Sequence, residues 1–233
     1  MRDAYIVSAL RTPVGRKKGS LADIHSADLG VSVLKATFEN ISIDPGLVED
    51  VIYGCVDTVG PQAGDIARTC WLVAGLPEHV PGTTVDRQCG SSQQAVHFAT
   101  QAVMSGTSDV VIAGGVQNMN MIPISFAMTA GQQLGFDTPF NTSPGWNKRY
   151  GDVEVSQFNS AHMIAEKWNI SREEMELFAF NSHQKAISAI ESGIFKNEII
   201  PVNGLLDDET PRRDTSLERM STLEPLIEGH SIT

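Results

Sequence analysis

The feature that most constrains the fold is a regular alternation of short apolar runs with longer helical patterns in the first half of the chain. Each apolar run is rich in β-forming residues, and each helical stretch repeats its apolar residues at three- and four-residue spacing. The predicted strands are 5–10, 51–56, 83–86 and 110–113, and the predicted helices are 27–38, 65–74 and 91–104. This rhythm predicts parallel strands joined by helical crossovers.

The last of these runs shows how the sheet is covered. Residues 109–115 read Asp-Val-Val-Ile-Ala-Gly-Gly, with apolar side chains at successive rather than alternate positions. A strand of this kind is buried on both faces. With 233 residues, 41% of them hydrophobic, the chain can bury a sizeable core. We therefore predict an α/β fold in which a mostly parallel sheet is sandwiched between helices.

The second half has a different character. A Met-rich stretch punctuated by glycine and proline follows Asn118, and two helices are predicted after it, at 156–168 and 173–192. Ser171 and Glu174 have the spacing of a capping box at the start of the second helix. We predict two domains, a sheet domain over residues 1–118 and a loop domain over residues 119–233.

Charge and residue usage exclude several classes of function. The formal net charge of −11 opposes binding to nucleic acid or to an anionic membrane surface. Three cysteines without a C-x-x-C pair and six histidines without metal spacing indicate neither a disulfide framework nor a metal site. The chain shows no signal peptide and no apolar run of transmembrane length. We expect a soluble cytoplasmic protein that needs no cofactor.

The segment from Val85 to Ala95 is the most informative part of the chain, because a strand passes through small residues directly into a helix. Cys89 falls at the start of that helix, where unpaired amides and the helix dipole stabilise a thiolate and a developing oxyanion. The same pattern also fits a cysteine that only packs in a tight turn. A phosphate-binding loop is disfavoured because the segment lacks the Walker lysine.

The context Cys89-Gly90-Ser91-Ser92 resembles the thiolase family, the acetyl-CoA acetyltransferases and 3-ketoacyl-CoA thiolases, in which such a cysteine precedes a buried helix. Other segments match thiolase signatures in thiolase order, so the resemblance covers essentially the whole chain. These segments are 9–16, 113–119, 170–173, 193–195 and 198–202.

The resemblance implies an acyltransferase in which Cys89 attacks a 3-ketoacyl-CoA and free coenzyme A resolves the acyl-enzyme. Coenzyme A is then a substrate rather than a cofactor, and Arg212 is the residue that the resemblance places on its phosphates. The stretch after residue 118 resembles an oligomerisation loop, which implies a homo-oligomer, either a dimer or a tetramer. The Gly-His-Pro histidine, the Asn-Glu-Ala-Phe asparagine and the second cysteine of thiolases have no counterpart in this chain, so the catalytic set is expected to be incomplete.

One departure from the family pattern concerns the acyl group. Ser156-Gln157-Phe158 stands where many short-chain thiolases have His-Met-Gly, and this is similar to thiolases that act on bulky, including steroid-derived, substrates. Two alternatives remain open. One is a decarboxylating ketoacyl synthase, which shares the fold and the cysteine, and the other is a truncated, non-catalytic assembly subunit. Cys55 and Cys70 are interpreted as core cysteines.

Overall fold

The computed structural model describes residues 2–233, which form two compact units. The first unit contains the chain up to Pro139 together with Lys196–Glu209, and the second contains Phe140–Phe195 and Thr210–Thr233. The main elements of the first unit are α1 (Ser26–Asn40), β1 (Asp50–Gly54), α2 (Ile66–Val73), β2 (Gly82–Val85), α3 (Ser91–Ser105), β3 (Val111–Gly115) and the short α4 (Phe126–Thr129). The functional division into residues 1–118 and 119–233 stays a prediction.

The three strands form a parallel sheet in the order β2-β1-β3. In β1, Ile52 is level with Thr83 of β2 and with Ala113 of β3. The chain moves from β1 to β2 in one direction and from β2 to β3 in the other. Since βαβ crossovers are right-handed, α2 and α3 lie on opposite faces of the sheet. The predicted α/β sandwich is therefore confirmed.

The core lies between β1 and the layer formed by α1 and α2. Trp71 of α2 is fully buried, and its ring meets Phe38 of α1 edge-on at a centroid distance of 5.8 Å. Its indole N–H donates to the carbonyl oxygen of Pro77 at 2.8 Å, so burial leaves no donor unsatisfied. The side chains of Val51 and Tyr53 complete this face of the sheet.

The predicted strand at residues 5–10 is wrong. Tyr5, Ile6 and Val7 are 79%, 79% and 72% exposed and belong to no strand. Only Arg11 forms a bridge, with Ile199. A β-strand requires a neighbour for its backbone hydrogen bonds, and here residues 4–10 and β3 line the same cavity of about 1250 Å³ without pairing. The apolar run specified strand propensity but not a partner.

Carboxylates of the 198–209 segment hold the loop that follows Arg11. Arg11 donates to Glu198 at 2.7 Å and to Asp208 at 2.6 Å. Burial raises the pKa of Asp208, but hydrogen bonds from Arg11 and from the Val14 amide outweigh it and leave the pKa below its ordinary value. Hydrogen bonds from the hydroxyl and amide of Ser20 likewise lower the pKa of Glu209. The loop is therefore tied down by anions that stay charged at neutral pH.

The second unit is helical. Its elements are α5 (Pro144–Tyr150), α6 (Gln157–Trp168), α7 (Arg172–Glu191) and α8 (Leu217–Ser221). The capping box at α7 is confirmed, because Ser171 accepts from the Glu174 amide and Glu174 accepts from the Ser171 amide. Across residues 2–233, no helix combines the length and the apolarity that a membrane crossing needs.

Candidate active site

The turn between β2 and α3 presents Cys89. The hydroxyl of Ser91 accepts from the Arg87 amide at 2.9 Å and donates back to the carbonyl oxygen of Gln88. The amides of Gly90 and Ser91 donate to the carbonyl oxygens of Arg87 and Gln88 at 3.1 and 3.0 Å. The turn is therefore closed by hydrogen bonds of its own backbone and by one buried serine.

Gln88, the residue before the cysteine, has an unusual backbone conformation. Its φ of +49° lies in the left-handed region, which a non-glycine residue adopts at an energetic cost. The Asp86 carboxylate supports it by accepting from the Gln88 amide at 2.8 Å. Residues held in such conformations are frequent at functional sites. In this turn the left-handed residue turns the chain sharply just before Cys89.

Two glycines at the strand ends let α3 begin very close to the sheet. A methyl group on Gly54 would lie 2.3 Å from the Ser92 amide nitrogen, and one on Gly115 would lie 2.1 Å from the Ser92 hydroxyl. A larger residue at Gly54 would push against the backbone of α3, and a larger residue at Gly115 would meet the Ser92 hydroxyl and the carbonyl oxygen of Gly54. Gly54 and Gly115 therefore set the height at which the first turn of α3, and with it Cys89, sits above the sheet.

Cys89 is exposed and lies just before Gly90, the N-cap of α3. No side chain caps this helix, and although the Ser91 amide is engaged by the carbonyl oxygen of Gln88, the next two amides of the first turn, of Ser92 and Gln93, have no capping group. The position is at the carboxyl edge of a parallel sheet, where ligands of α/β proteins bind. An exposed sulfur beside helix amides can attack a carbonyl carbon while those amides hold the oxyanion that forms.

The other two thiols are buried. Burial raises the pKa of Cys55 to about 11, and the nearby Asp57 carboxylate adds to the effect. Burial also raises the pKa of Cys70 to about 12. Both side chains belong to the core beside Tyr53. Their interpretation as core cysteines is confirmed, and among the three cysteines only Cys89 is exposed.

Arg212 lies in the second unit, whereas Cys89 belongs to the first. Its backbone amide donates to Nδ1 of His183 on α7 at 3.2 Å, and its side chain is exposed. The neighbouring Arg213 pairs with Glu191 on the same helix, and Arg219 pairs with Asp214. Among these three arginines, Arg212 is the one that forms no close ion pair with a carboxylate, although its charge helps to lower the pKa of Asp214.

A buried polar network was missed by the sequence interpretation. Asp57 follows β1 and is fully buried, as is Gln62, while Gln117 and Asn118 follow β3. The available signal was the occurrence of polar residues just after two apolar strands, since the carboxyl ends of parallel strands meet at one edge. The pairing itself could not be seen, because the partners are about sixty residues apart in the sequence.

No group of three or more histidine, cysteine, aspartate or glutamate side chains in the described part of the chain is placed to hold a metal ion.

The fold and the turn define an α/β protein that presents a thiol at the carboxyl edge of its sheet, and comparison with known proteins identifies the family. The family described as "Thiolase, N-terminal domain" matches residues 4–230. The chain is 56% identical to a steroid 3-ketoacyl-CoA thiolase of Mycobacterium tuberculosis, over all of this chain and 58% of that protein. It is 37% identical to a 3-ketoacyl-CoA thiolase of Idiomarina loihiensis, over 98% of this chain and 59% of that protein.

A solved structure agrees with these relatives. The crystal structure of the Bacillus anthracis acetyl-CoA acetyltransferase superposes with a TM-score of 0.77 at 29% identity, covering 97% of this chain and 59% of that one. The chain belongs to the thiolase family. It spans a little under three fifths of the length of these relatives.

Proposed function

We propose that this chain carries the acyl-accepting part of a thiolase active site, with Cys89 as the residue that becomes acylated. The observation that carries the proposal is the exposed Cys89 sulfur in the hydrogen-bonded turn that leads into α3. The names of the relatives support the reaction class, because they describe enzymes acting on 3-ketoacyl-CoA.

The reaction has two steps. The Cys89 thiolate adds to the 3-keto carbon, the bond between C2 and C3 breaks, and its electron pair leaves on C2 as the enolate of acetyl-CoA, which takes up a proton. The sulfur of coenzyme A then attacks the thioester on Cys89, so that acyl-CoA leaves and the thiolate returns. In reverse, the same steps form a carbon–carbon bond between two acyl-CoA molecules. The groups that move the protons are proposed to come from the part of thiolases that this chain does not match.

The remaining features of the proposal concern binding and assembly. Arg212 is proposed to contact a phosphate of coenzyme A, and residues 119–233 to contribute to coenzyme A binding and to a homo-oligomer. The acyl group is proposed to be bulky, because Phe158 and its neighbours replace the short-chain pattern and the Mycobacterium tuberculosis relative is named for steroid substrates. A cytoplasmic location is proposed from the sequence alone. The family match favours thiolysis over the decarboxylating alternative.

The first test is acylation of Cys89. After incubation of the purified protein with acetyl-CoA or with a bulky 3-ketoacyl-CoA, we expect intact-protein mass spectrometry to show one acyl group on the protein and peptide mapping to place it on Cys89. The adduct should disappear on addition of free coenzyme A, because the thioester is the intermediate of the second step.

The matched controls are Cys89→Ser and Cys55→Ser. The first should abolish the adduct and the second should leave it unchanged. An adduct that survives in Cys89→Ser, or its absence in the wild-type protein after the unmatched part of a thiolase relative has been supplied in trans, would contradict the proposal.

The second prediction separates Arg212 from its neighbour. We expect Arg212→Ala to weaken coenzyme A binding by about tenfold, or about 1.4 kcal/mol, because a charge-assisted contact to phosphate is lost. Arg213→Ala removes the same charge but breaks an existing pair with Glu191, so its effect should be smaller. Isothermal titration at two salt concentrations measures both variants. Equal losses in the two variants would mean that only net charge matters.

A second candidate function is an assembly subunit, and the cavity beside β3 favours it. An edge strand with unpaired backbone groups is usually covered by a partner, and Tyr5, Ile6 and Val7 leave apolar surface at the same place. A stoichiometric partner in native mass spectrometry, combined with an unreactive Cys89, would support this function in place of catalysis.

A further inference from the structure

Asp57 is a fully buried carboxylate that the proposed chemistry does not use. Its oxygens accept from the amides of Ser125 and Ala127 at 3.0 and 2.9 Å and from the Gln117 side chain at 3.1 Å. Among the residues that the structure describes, no lysine or arginine forms an ion pair with it. Two of its three donors belong to one short stretch of backbone, so Asp57 acts mainly on the position of that stretch.

The stretch is also held at its start. Asn118 donates from its side chain to the carbonyl oxygens of Leu21, Ala22 and Ile24 and accepts from the amides of Asn120 and Met121. The backbone N–H of Asn118 in turn donates to the side-chain oxygen of the fully buried Gln62 at 2.6 Å. Residues 119–127, which we term the β3 segment, are thus anchored by Asn118 at one end and by Asp57 at the other.

The anchoring at Asp57 works against local backbone preference. Ser125 has a φ of +68°, a left-handed conformation that a serine adopts only when its surroundings impose it. Its amide is one of the two that the Asp57 carboxylate binds. Removal of that acceptor releases a strained residue, and the segment is then expected to relax.

The topology places this segment at the edge of the sheet that carries the nucleophile. Cys89 follows β2, Asp57 follows β1 and the β3 segment follows β3, and the strand order is β2-β1-β3. Cys89 and the β3 segment therefore follow strands that are two positions apart in the sheet, and the end of β3 lies against the start of α3, since a methyl group on Gly115 would lie 2.1 Å from the Ser92 hydroxyl. Asp57 and Asp86 both act electrostatically on the Cys55 thiol, which agrees with their closeness at this edge.

Most side chains of the β3 segment are apolar, and all of them are at least partly exposed. Met119 and Ile124 are 59% and 56% exposed, and Met121, Ile122 and Phe126 are only partly buried. Met119 and Ile124 line the cavity beside β3. An apolar surface at the edge of the sheet that also carries the acyl-accepting sulfur suits an acyl chain that extends from that sulfur across this edge.

We propose that the β3 segment forms one wall of the acyl-binding site and that Asp57 is the positioning residue that fixes this wall relative to Cys89. This inference rests on the proposed function for the identity of the occupant, an acyl group of apolar character. Asp57 touches neither the substrate nor the reacting atoms, and it acts on the selectivity for the acyl group rather than on the reactivity of the sulfur.

The test uses alkylation of Cys89 by iodoacetamide and by N-octyl iodoacetamide, so it does not depend on any reaction with coenzyme A. Peptide mass spectrometry gives the rate constant at Cys89 for each reagent. In the wild-type protein, we expect the octyl reagent to be favoured relative to its reaction with free cysteine. Asp57→Asn should lower that preference by about fivefold, which corresponds to between one and two buried methylene groups, and leave the iodoacetamide rate within about twofold of wild type.

Gln117→Met provides a second variant of similar shape that removes one donor to Asp57 without changing the buried charge, and it should lower the preference in the same direction. Glu176→Gln, which alters a buried carboxylate in the other unit, should change neither rate. An unchanged octyl preference in both Asp57→Asn and Gln117→Met, or an equal fall in both alkylation rates, would overturn the inference. Absence of acylation by acyl-CoA with a normal octyl preference would instead contradict the proposed function alone.

Discussion

Cys89 is expected to react with iodoacetamide at pH 8 much faster than either of the other two thiols, by at least about a hundredfold, because those two are buried and mostly protonated. The thiolate is the reactive form, and a pKa of about 11 leaves about one Cys55 in a thousand ionised at this pH. Cys70, with a pKa of about 12, is ionised still less often. Both are also closed off from reagent, being 2% and 0% exposed, whereas the sulfur of Cys89 lies at the surface.

Time-resolved peptide mass spectrometry of the folded protein gives the three rates. In Cys89→Ser the fast reaction should be absent, and in concentrated urea all three thiols of the wild-type protein should react at similar rates. A fast reaction that survives in Cys89→Ser, or two fast thiols in the native protein, would show that the turn does not isolate Cys89 as described.

Gly54→Ala is expected to lower the free energy of unfolding by about 3 kcal/mol, the upper part of the range for overpacking. The added methyl group would lie 2.3 Å from the Ser92 amide nitrogen and 2.5 Å from the carbonyl carbon of Ser91. These are backbone atoms, so no side-chain rotation relieves the overlap, and the start of α3 must move away from β1. Urea unfolding, followed by circular dichroism, measures the loss.

Gly131→Ala is the matched control in the same unit. Its methyl group would meet the Phe136 side chain at 3.4 Å, an ordinary contact, so we expect a change of less than about 0.5 kcal/mol. Because the start of α3 carries the turn of Cys89, Gly54→Ala should also change the rate of Cys89 alkylation. A fully stable Gly54→Ala variant would mean that α3 does not sit against the strand ends as closely as described.

Both of these measurements report on the position of Cys89 above the sheet. The alkylation rates report how Cys89 is presented, and the glycine variant reports what fixes its height above the sheet. If acylation of Cys89 by acyl-CoA depends on the amides at the start of α3, then displacement of that helix should slow acylation even where the protein remains folded.

Features encoded by neighbouring residues were predictable from the sequence. The start of α7 is one example, because Ser171 and Glu174 cap it through their own side chains and amides. Cys89 at the start of α3 is another, since the small residues after it form the turn and the apolar spacing begins beyond them. Strands β1 and β3 were predicted from apolar residues at successive positions, and β2 from the β-branched residues Thr83, Thr84 and Val85.

Features that depend on distant partners were not predictable. Residues 5–10 have the composition of a strand but are exposed, because a strand forms only where another edge can bond to it. Asp57 accepts hydrogen bonds from amides that follow it by 68 and 70 positions in the chain. Nothing in its immediate sequence distinguishes a buried acceptor from a solvated one.

The sequence by itself determined the alternation of strands and helices, the family, and the position of one cysteine at a helix start, because each depends on spacing within a few residues. The tertiary structure decided which thiol is exposed, which apolar run pairs, and how the segment after β3 is held. Each of these depends on hydrogen bonds and steric clearances between residues far apart in the chain. Such contacts produce no repeating pattern of residues from which they could be predicted.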